Sequence, residues 1–112
     1  MAKLNYVEMP SSDVAVSQAF YGTAFDWQFT PYGPDYAAVE GGAVDIGFNA
    51  TSDDPIERIL PVIEVANIEL ARSNVIGAGG LISRDIFAFP GGRRFHFHDP
   101  DGNELGVYVK EG

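Results

Sequence analysis

The chain has no cysteine, which excludes disulfides, thiolate metal sites and a cysteine nucleophile together. It has no apolar run near the roughly 18 residues that a membrane-spanning helix needs. Its start, MAKLNYVEMP, lacks the apolar centre of a secretory signal. A cytoplasmic protein is the expectation. Positive charge is scarce as well: seven Lys and Arg stand against 16 Asp and Glu, a formal net charge of −9. A surface of that sign repels phosphate backbones and anionic lipids, so neither nucleic acid nor a membrane is an expected partner. Also missing are a Ser-His-Asp set, a phosphate-binding glycine loop and a dinucleotide fingerprint. DYAAVEGGAVDIG contains glycines, but not in the G-x-G-x-x-G order.

What is present suffices for a core. Of the 112 residues, 46% are hydrophobic, enough apolar surface to offset the ordering entropy of a single domain over residues 1–112. LNYVEMP alternates as a strand. Asp13 is the predicted N-cap of a helix in SSDVAVSQAFYGTAF, with Ser12 as the competing choice, and Val16, Phe20 and Ala24 give that helix one apolar stripe. DWQFTPY, DYAAVEG and AVDIGFN follow as short strands separated by turn signals. TSDDPIER, polar and carrying a proline, supplies a linker at about 51–57.

The pattern then restarts. ILPVIEV reads as a strand, Asn67 as the cap of IELARSNVIGA, the glycines at 79 and 80 as its end, and LISRDIFAF, RRFHFH and NELGVYV as strands. The order β-α-β-β-β thus occurs twice, over about 3–50 and 58–110, and the fold class is α+β. Sliding the sequence by 54 places Asp13 on Asn67, Val14 on Ile68 and Tyr6 on Leu60; a slide of 61 places AVDIGFN on ELGVYVK and Asp45 on Gly106. Residue identity is weak, so the repeat is one of fold.

Chemistry-bearing residues concentrate in PGGRRFHFHDPDGNELGVY, residues 90–108. DPDG at 99–102 is a turn signal and lacks the alternating carboxylates and closing Glu of a calcium loop. GGRR at 91–94 suits either an anion nest with two guanidinium groups or a glycine hinge whose arginines pair with local acids. His96 and His98 lie two apart on a strand and share a face, a spacing that metal sites use. If DPDG closes a four-residue hairpin, His96 lies across from Leu105 and joins Val107 beneath the helix. Phe95, Phe97, Gly106 and Tyr108 then share the opposite, concave face, though a single bulge would exchange the two sets. Glu8 has the parity of Tyr6 and Leu4: inside an apolar cup it is a candidate general base, outside it a solvated carboxylate. Glu64 has the same two readings.

With two such modules, a first helix ending FYGTAFDWQF and a last hairpin reading FHFHDPDGNELGVY, the chain resembles the vicinal oxygen chelate superfamily. That group holds glyoxalase I, bleomycin-resistance proteins and extradiol dioxygenases. PDYAAVEGG and IFAFPGGRRFHFHDPDGNELGVY are further similar to bacterial proteins described as related to lactoylglutathione lyase. The resemblance implies two paired βαβββ modules forming a cup-shaped eight-stranded mixed sheet, commonly in a homodimer. It also implies metal ligands, His, Glu or Gln, on the first and last strand of each module. The matching positions are Tyr6, Asp45, Leu60 and Gly106, of which only Asp45 is an ordinary ligand. The usual metal centre, and with it any cofactor, is therefore not expected, and metal-dependent activities do not carry over by fold.

Three functions stay open. In one, the cup binds a small organic molecule through Tyr6, Glu8, Tyr36, Asp45, Leu60, Phe95, Phe97, Gly106 and Tyr108. In the second, Glu8 or Asp45 is the general base of a metal-independent isomerase or lyase. In the third, the protein is a dimeric interaction domain without ligand chemistry.

Overall fold

The computed structural model describes residues 2–111. Its elements are β1 (Lys3–Pro10), α1 (Val14–Phe25), β2 (Thr30–Pro31), β3 (Tyr36–Val39), β4 (Asp45–Asn49), β5 (Leu60–Glu64), α2 (Ile68–Gly77), β6 (Leu81–Phe89), β7 (Gly92–His98) and β8 (Glu104–Lys110). The β-α-β-β-β order therefore occurs twice, in an α+β chain whose modules each mix parallel and antiparallel pairing. Two compact units result: Tyr6–Leu60, and Pro61–Gly112 together with Met1–Asn5. No helix among the described residues is long and apolar enough to cross a membrane.

In the first module the strands lie in the order β2-β3-β4-β1, with β1 parallel to β4 and the other pairs antiparallel. Asp13 caps α1 as the sequence suggests, its carboxylate accepting from the Ala15 N–H at 2.9 Å. Asp26, at a left-handed φ of 57°, ends the helix by donating its N–H to the Gly22 carbonyl. The helix face that meets the sheet is not the expected one. Val14 is buried, Ser17 and Tyr21 are half-buried, and the Tyr21 ring lies 5.1 Å from that of Phe48, a core residue of β4. Val16 and Phe20 of the expected stripe are 65% and 61% exposed, and Ala24 is exposed with them. The cause lies in composition. VAVSQAFYGTAF has no charged residue and is apolar on both sides, so four-residue spacing alone selects no face. DWQFTPY also shortens to two paired residues, Thr30 and Pro31. Trp27 stacks on Tyr21 and Phe29 packs on Phe48 instead.

The second module has the order β5-β8-β7-β6, with β5 parallel to β8. Asn67 caps α2, accepting from the Leu70 N–H at 3.0 Å. Gly79, at a φ of 101°, provides the backbone reversal that ends it. Beneath this helix lies one apolar cluster: Ile68, Phe95, Val107 and Val109 are buried, with Ile63, Val75, Ile82 and Phe97 among the side chains packed on them.

That cluster corrects the expected hairpin. β7 and β8 pair with His98 opposite Glu104, Phe97 opposite Leu105, His96 opposite Gly106 and Phe95 opposite Val107, one residue away from the four-residue reading. The connection takes in Asn103: the Asp99 N–H donates to the Asn103 carbonyl at 3.0 Å, inside which the Gly102 N–H closes onto the Asp99 carbonyl at 2.9 Å. The Asp99 carboxylate accepts from the backbone N–H groups of Asp101 and Asn103 and from the Asn103 amide. These bonds, the Asn103 amide first, hold the Asp99 carboxyl below its usual range. A slip of one residue moves every side chain of a strand to the other face. Phe95 and Phe97 consequently belong to the core under α2, not to a concave ligand face, and His96 joins Gly106 and Tyr108 on the side the helix does not cover.

Candidate functional site

Cross-strand partners project to one side of a sheet, so the registers define what each helix-free face carries. In the first module Tyr6 pairs with Asp45, Glu8 with Gly47, Gly47 with Ala38 and Tyr36 with Asn49. The phenols of Tyr6 and Tyr36 meet above Gly47 and share a hydrogen bond. A Cβ at Gly47 would collide with both phenol oxygens, so a glycine here makes room for the pair. The Tyr36 hydroxyl also donates to Glu8 Oε1 at 3.2 Å, and Glu8 is only 4% exposed. Tyr6, Glu8 and Tyr36 are thus brought together. Asp45 accepts from the Gly41 N–H at 3.2 Å and is engaged in the turn before β4.

Burial first, and then the neighbouring Glu8 carboxylate, push the Tyr36 phenol well above the ordinary tyrosine range. It therefore stays a proton donor at any physiological pH. Because the folded value lies above the unfolded one of 10.0, Tyr36 contributes stability that is fully present below about pH 10 and is lost as pH rises beyond it. In an ultraviolet titration Tyr36→Phe is expected to leave the ordinary tyrosine ionisation step unchanged and to flatten the alkaline fall of Tm. A variant whose ordinary step shrinks by one tyrosine would disprove the assignment.

In the second module Gly106 pairs with Val62 and His96, and Tyr108 with Glu64 and Arg94. The Arg94 guanidinium donates to His96 Nε2 through Nε at 3.2 Å and through a terminal nitrogen at 2.9 Å. A guanidinium can only donate, so Nε2 carries the lone pair and the proton is assigned to Nδ1, which lies 3.8 Å from Glu104 Oε2. Arg84 lies 3.6 Å above the Phe87 ring, and Arg94 lies 5.5 Å from Phe87 and 5.9 Å from Phe89. Tyr108 donates to Asn5 Oδ1 at 2.9 Å, and the Asn5 amide donates to Glu64 Oε1 at 2.8 Å. Glu64 is therefore a hydrogen-bonded residue of this face.

The two arginines of GGRR divide between the alternatives left open. Arg93, on the α2 side, pairs with Glu111 at 2.7 Å and Glu69 at 3.1 Å, the plain local pairing. Arg94 faces the other way, onto His96. Sequence reasoning did not single out Asn5, Phe87 or Phe89. Their signal is strand alternation, which becomes usable only when the register is known.

The metal centre implied by the resemblance does not fit these residues. In the first module the Tyr6 phenol bonds Tyr36 and the Asp45 carboxylate bonds Gly41; in the second, Leu60 and Gly106 have no donor side chain. The register also revises the repeat. Glu8 and Val62 correspond under the 54-residue slide, and their partners are Gly47 and Gly106, so the slide from β4 to β8 is shorter than 61 and Gly106 matches Gly47 rather than Asp45. The counterpart of Asp45 becomes Glu104, which accepts from Ser83 at 2.8 Å. His96 with Glu104 is then a set of two, while a protein-held zinc site takes three or four ligands. Among the described residues no group of three or more His, Asp or Glu side chains could hold a metal ion.

Two βαβββ modules, each with a helix on one sheet face and a hydrogen-bonded polar set on the other, define the class of paired-module α+β proteins. The chain belongs to the Glyoxalase/Bleomycin resistance protein/Dioxygenase superfamily, whose family profile matches residues 3–107; this bears out the resemblance read from FYGTAFDWQF and FHFHDPDGNELGVY. No curated protein matches the chain. Among solved structures it is similar to a Legionella pneumophila chain described as an NAD-dependent benzaldehyde dehydrogenase, with a TM-score of 0.80, 18% identity and coverage of 96% of this chain and 99% of that one. A hypothetical protein from Bacillus halodurans C-125 gives a TM-score of 0.79 at 17% identity, covering 99% and 96%. A member of the same superfamily from Vibrio splendidus 12B01 gives 0.73 at 16% identity, covering 99% and 100%. At such identities the likeness is one of fold.

Proposed function

We propose that this glyoxalase-like protein binds a small organic molecule at the helix-free face of its first module, without the usual metal centre of the family. One observation carries the reading: the buried Glu8 carboxylate is held beside two phenols above Gly47. A buried carboxylate is weak evidence of a stabilising role, because the cost of removing it from water can exceed what its pairing returns. Tyr6 donates to Tyr36 and Tyr36 to Glu8, so the set presents a carboxylate and phenol oxygens as acceptors among aromatic rings, which suits a ligand that donates from a hydroxyl, an amine or an amide beside a flat apolar part. In a thermal-shift screen such molecules are expected to raise Tm, since a ligand of the folded state stabilises it by RT ln(1 + [L]/Kd). For a molecule so found, Glu8→Gln is expected to weaken binding by about 10–100-fold, the loss of one charge-assisted hydrogen bond. Unchanged calorimetric affinity in that variant would remove Glu8 from the site.

The 3.2 Å contact between the Tyr36 hydroxyl and Glu8 supports a second reading, a metal-independent isomerase or lyase. A carboxylate that accepts a proton beside a phenol that stays protonated is an acid–base pair in place. Asp45 is the weaker candidate base because its carboxylate is tied to Gly41. The two readings separate on Glu8→Gln: a binder loses affinity, whereas an enzyme retains binding and loses turnover.

A further inference from the structure

We propose that Asp101 is a covalent modification site, the point at which this chain converts to isoaspartate, and that Asp99 protects it in the folded protein. The proposal does not rest on the ligand reading, because it concerns the turn between β7 and β8.

DPDG at 99–102 is a motif that neither ligand binding nor acid–base chemistry uses. Asp101–Gly102 is the only Asp–Gly step in the chain, and no Asn precedes a glycine. Every other Asp is followed by a larger side chain or by proline. Glycine has no Cβ to shield its own nitrogen, and residues 101–104 are all exposed.

The reaction is internal to these two residues. The Gly102 nitrogen attacks Asp101 Cγ, an N–Cγ bond forms, and the amide proton leaves with the carboxyl hydroxyl as water, giving a succinimide ring. Water then adds to one of the two ring carbonyls. Opening at Cγ returns aspartate, whereas opening at the main-chain carbonyl leaves the chain running through Cβ and Cγ, which is isoaspartate. The water lost in the first step is regained in the second, so water is the sole co-reactant.

The folded turn withholds the attacking atom. The Gly102 N–H donates to the Asp99 carbonyl at 2.9 Å. On either side of it, the Asp101 and Asn103 N–H groups both donate to Asp99 Oδ1 at 2.9 Å, and the Asn103 amide donates to Asp99 Oδ2 at 2.9 Å. Asp99 thus fixes three consecutive N–H groups, with Gly102 at a φ of 82°, and the nitrogen turns onto Cγ only when the turn opens. The same bonds close the hairpin whose register places His96 opposite Gly106. Isoaspartate adds a carbon to the main chain inside that closure, so conversion loosens the hairpin and lowers Tm.

Incubation of the full chain at neutral pH and physiological temperature, folded and in urea, tests this. Isoaspartate is read as a second peak for the tryptic peptide 95–110 with unchanged mass, and the succinimide as a form lighter by one water. The unfolded chain is expected to convert about 10–100-fold faster than the folded one, the factor that the loss of a hydrogen bond to a charged group represents. Folded Asp99→Ala should approach the unfolded rate, while Asp99→Asn, which keeps an acceptor oxygen, should stay nearer the parent. Asp101→Glu, whose longer side chain closes no five-membered ring, should give no second peak. Equal rates in folded and unfolded parent would overturn the proposal without any variant. A folded Asp99→Ala that converts no faster than the parent would overturn it too, as would isoaspartate at another position or converted protein with the Tm of the parent.

Discussion

Phe95→Ala is expected to destabilise the protein by about 3–5 kcal/mol, the range for removing a buried aromatic ring from a packed core. Phe95 is 0% exposed, lies 6.3 Å ring to ring from Phe97, and sits in one cluster with Ile68, Val107 and Val109 under α2. Small domains are stable by roughly 5–15 kcal/mol, so this one change removes a large share of the total. Urea denaturation would show a lower midpoint with little change in slope. The result also decides the face on which Phe95 lies. A residue lining a ligand face would lose affinity at nearly unchanged stability, and that outcome would restore the four-residue hairpin; the observed register requires the reverse.

A second large effect is expected at Gly47. In Gly47→Ala the new methyl group meets the phenol oxygens of Tyr36 and Tyr6, and both rings must yield. Overpacking of this kind costs about 1–3 kcal/mol. The displaced Tyr36 hydroxyl also moves from Glu8, so ligand binding should fall together with stability. Tyr36→Phe in the Gly47→Ala background removes one of the two oxygens and should recover part of the lost stability, giving a coupling of the kind that contacting residues show. Strict additivity between the two changes would mean that the phenols do not lie over Gly47.

Much of the local structure was legible in the chain. Asp13 and Asn67 announce both helices because a short acceptor side chain satisfies N–H groups that no helix can satisfy internally, and both accept the bonds expected of them. The double β-α-β-β-β order followed from strand and helix periodicity, and parity puts Tyr6 and Glu8 on one side of β1, whereas Tyr36 joins them only through the register of β1, β4 and β3. GGRR was less legible, since Arg93 and Arg94 are adjacent and face opposite ways, the first to Glu69 and Glu111, the second to His96.

What the sequence by itself determined is the inventory and order of elements, the caps, the family, and the poverty of metal donors at Tyr6 and Leu60. These depend on residues near in sequence or on side-chain chemistry alone. Tertiary structure decided which faces are covered. Asn103 enters the hairpin through its carbonyl bond to Asp99, and one residue there sends Phe95 and Phe97 under α2 and His96 to the other side, because strand side chains alternate with a period of two. α1 turned Val14 and Tyr21 inward and left Val16 and Phe20 outside, a choice its evenly apolar sequence does not encode and that packing against Phe48 makes.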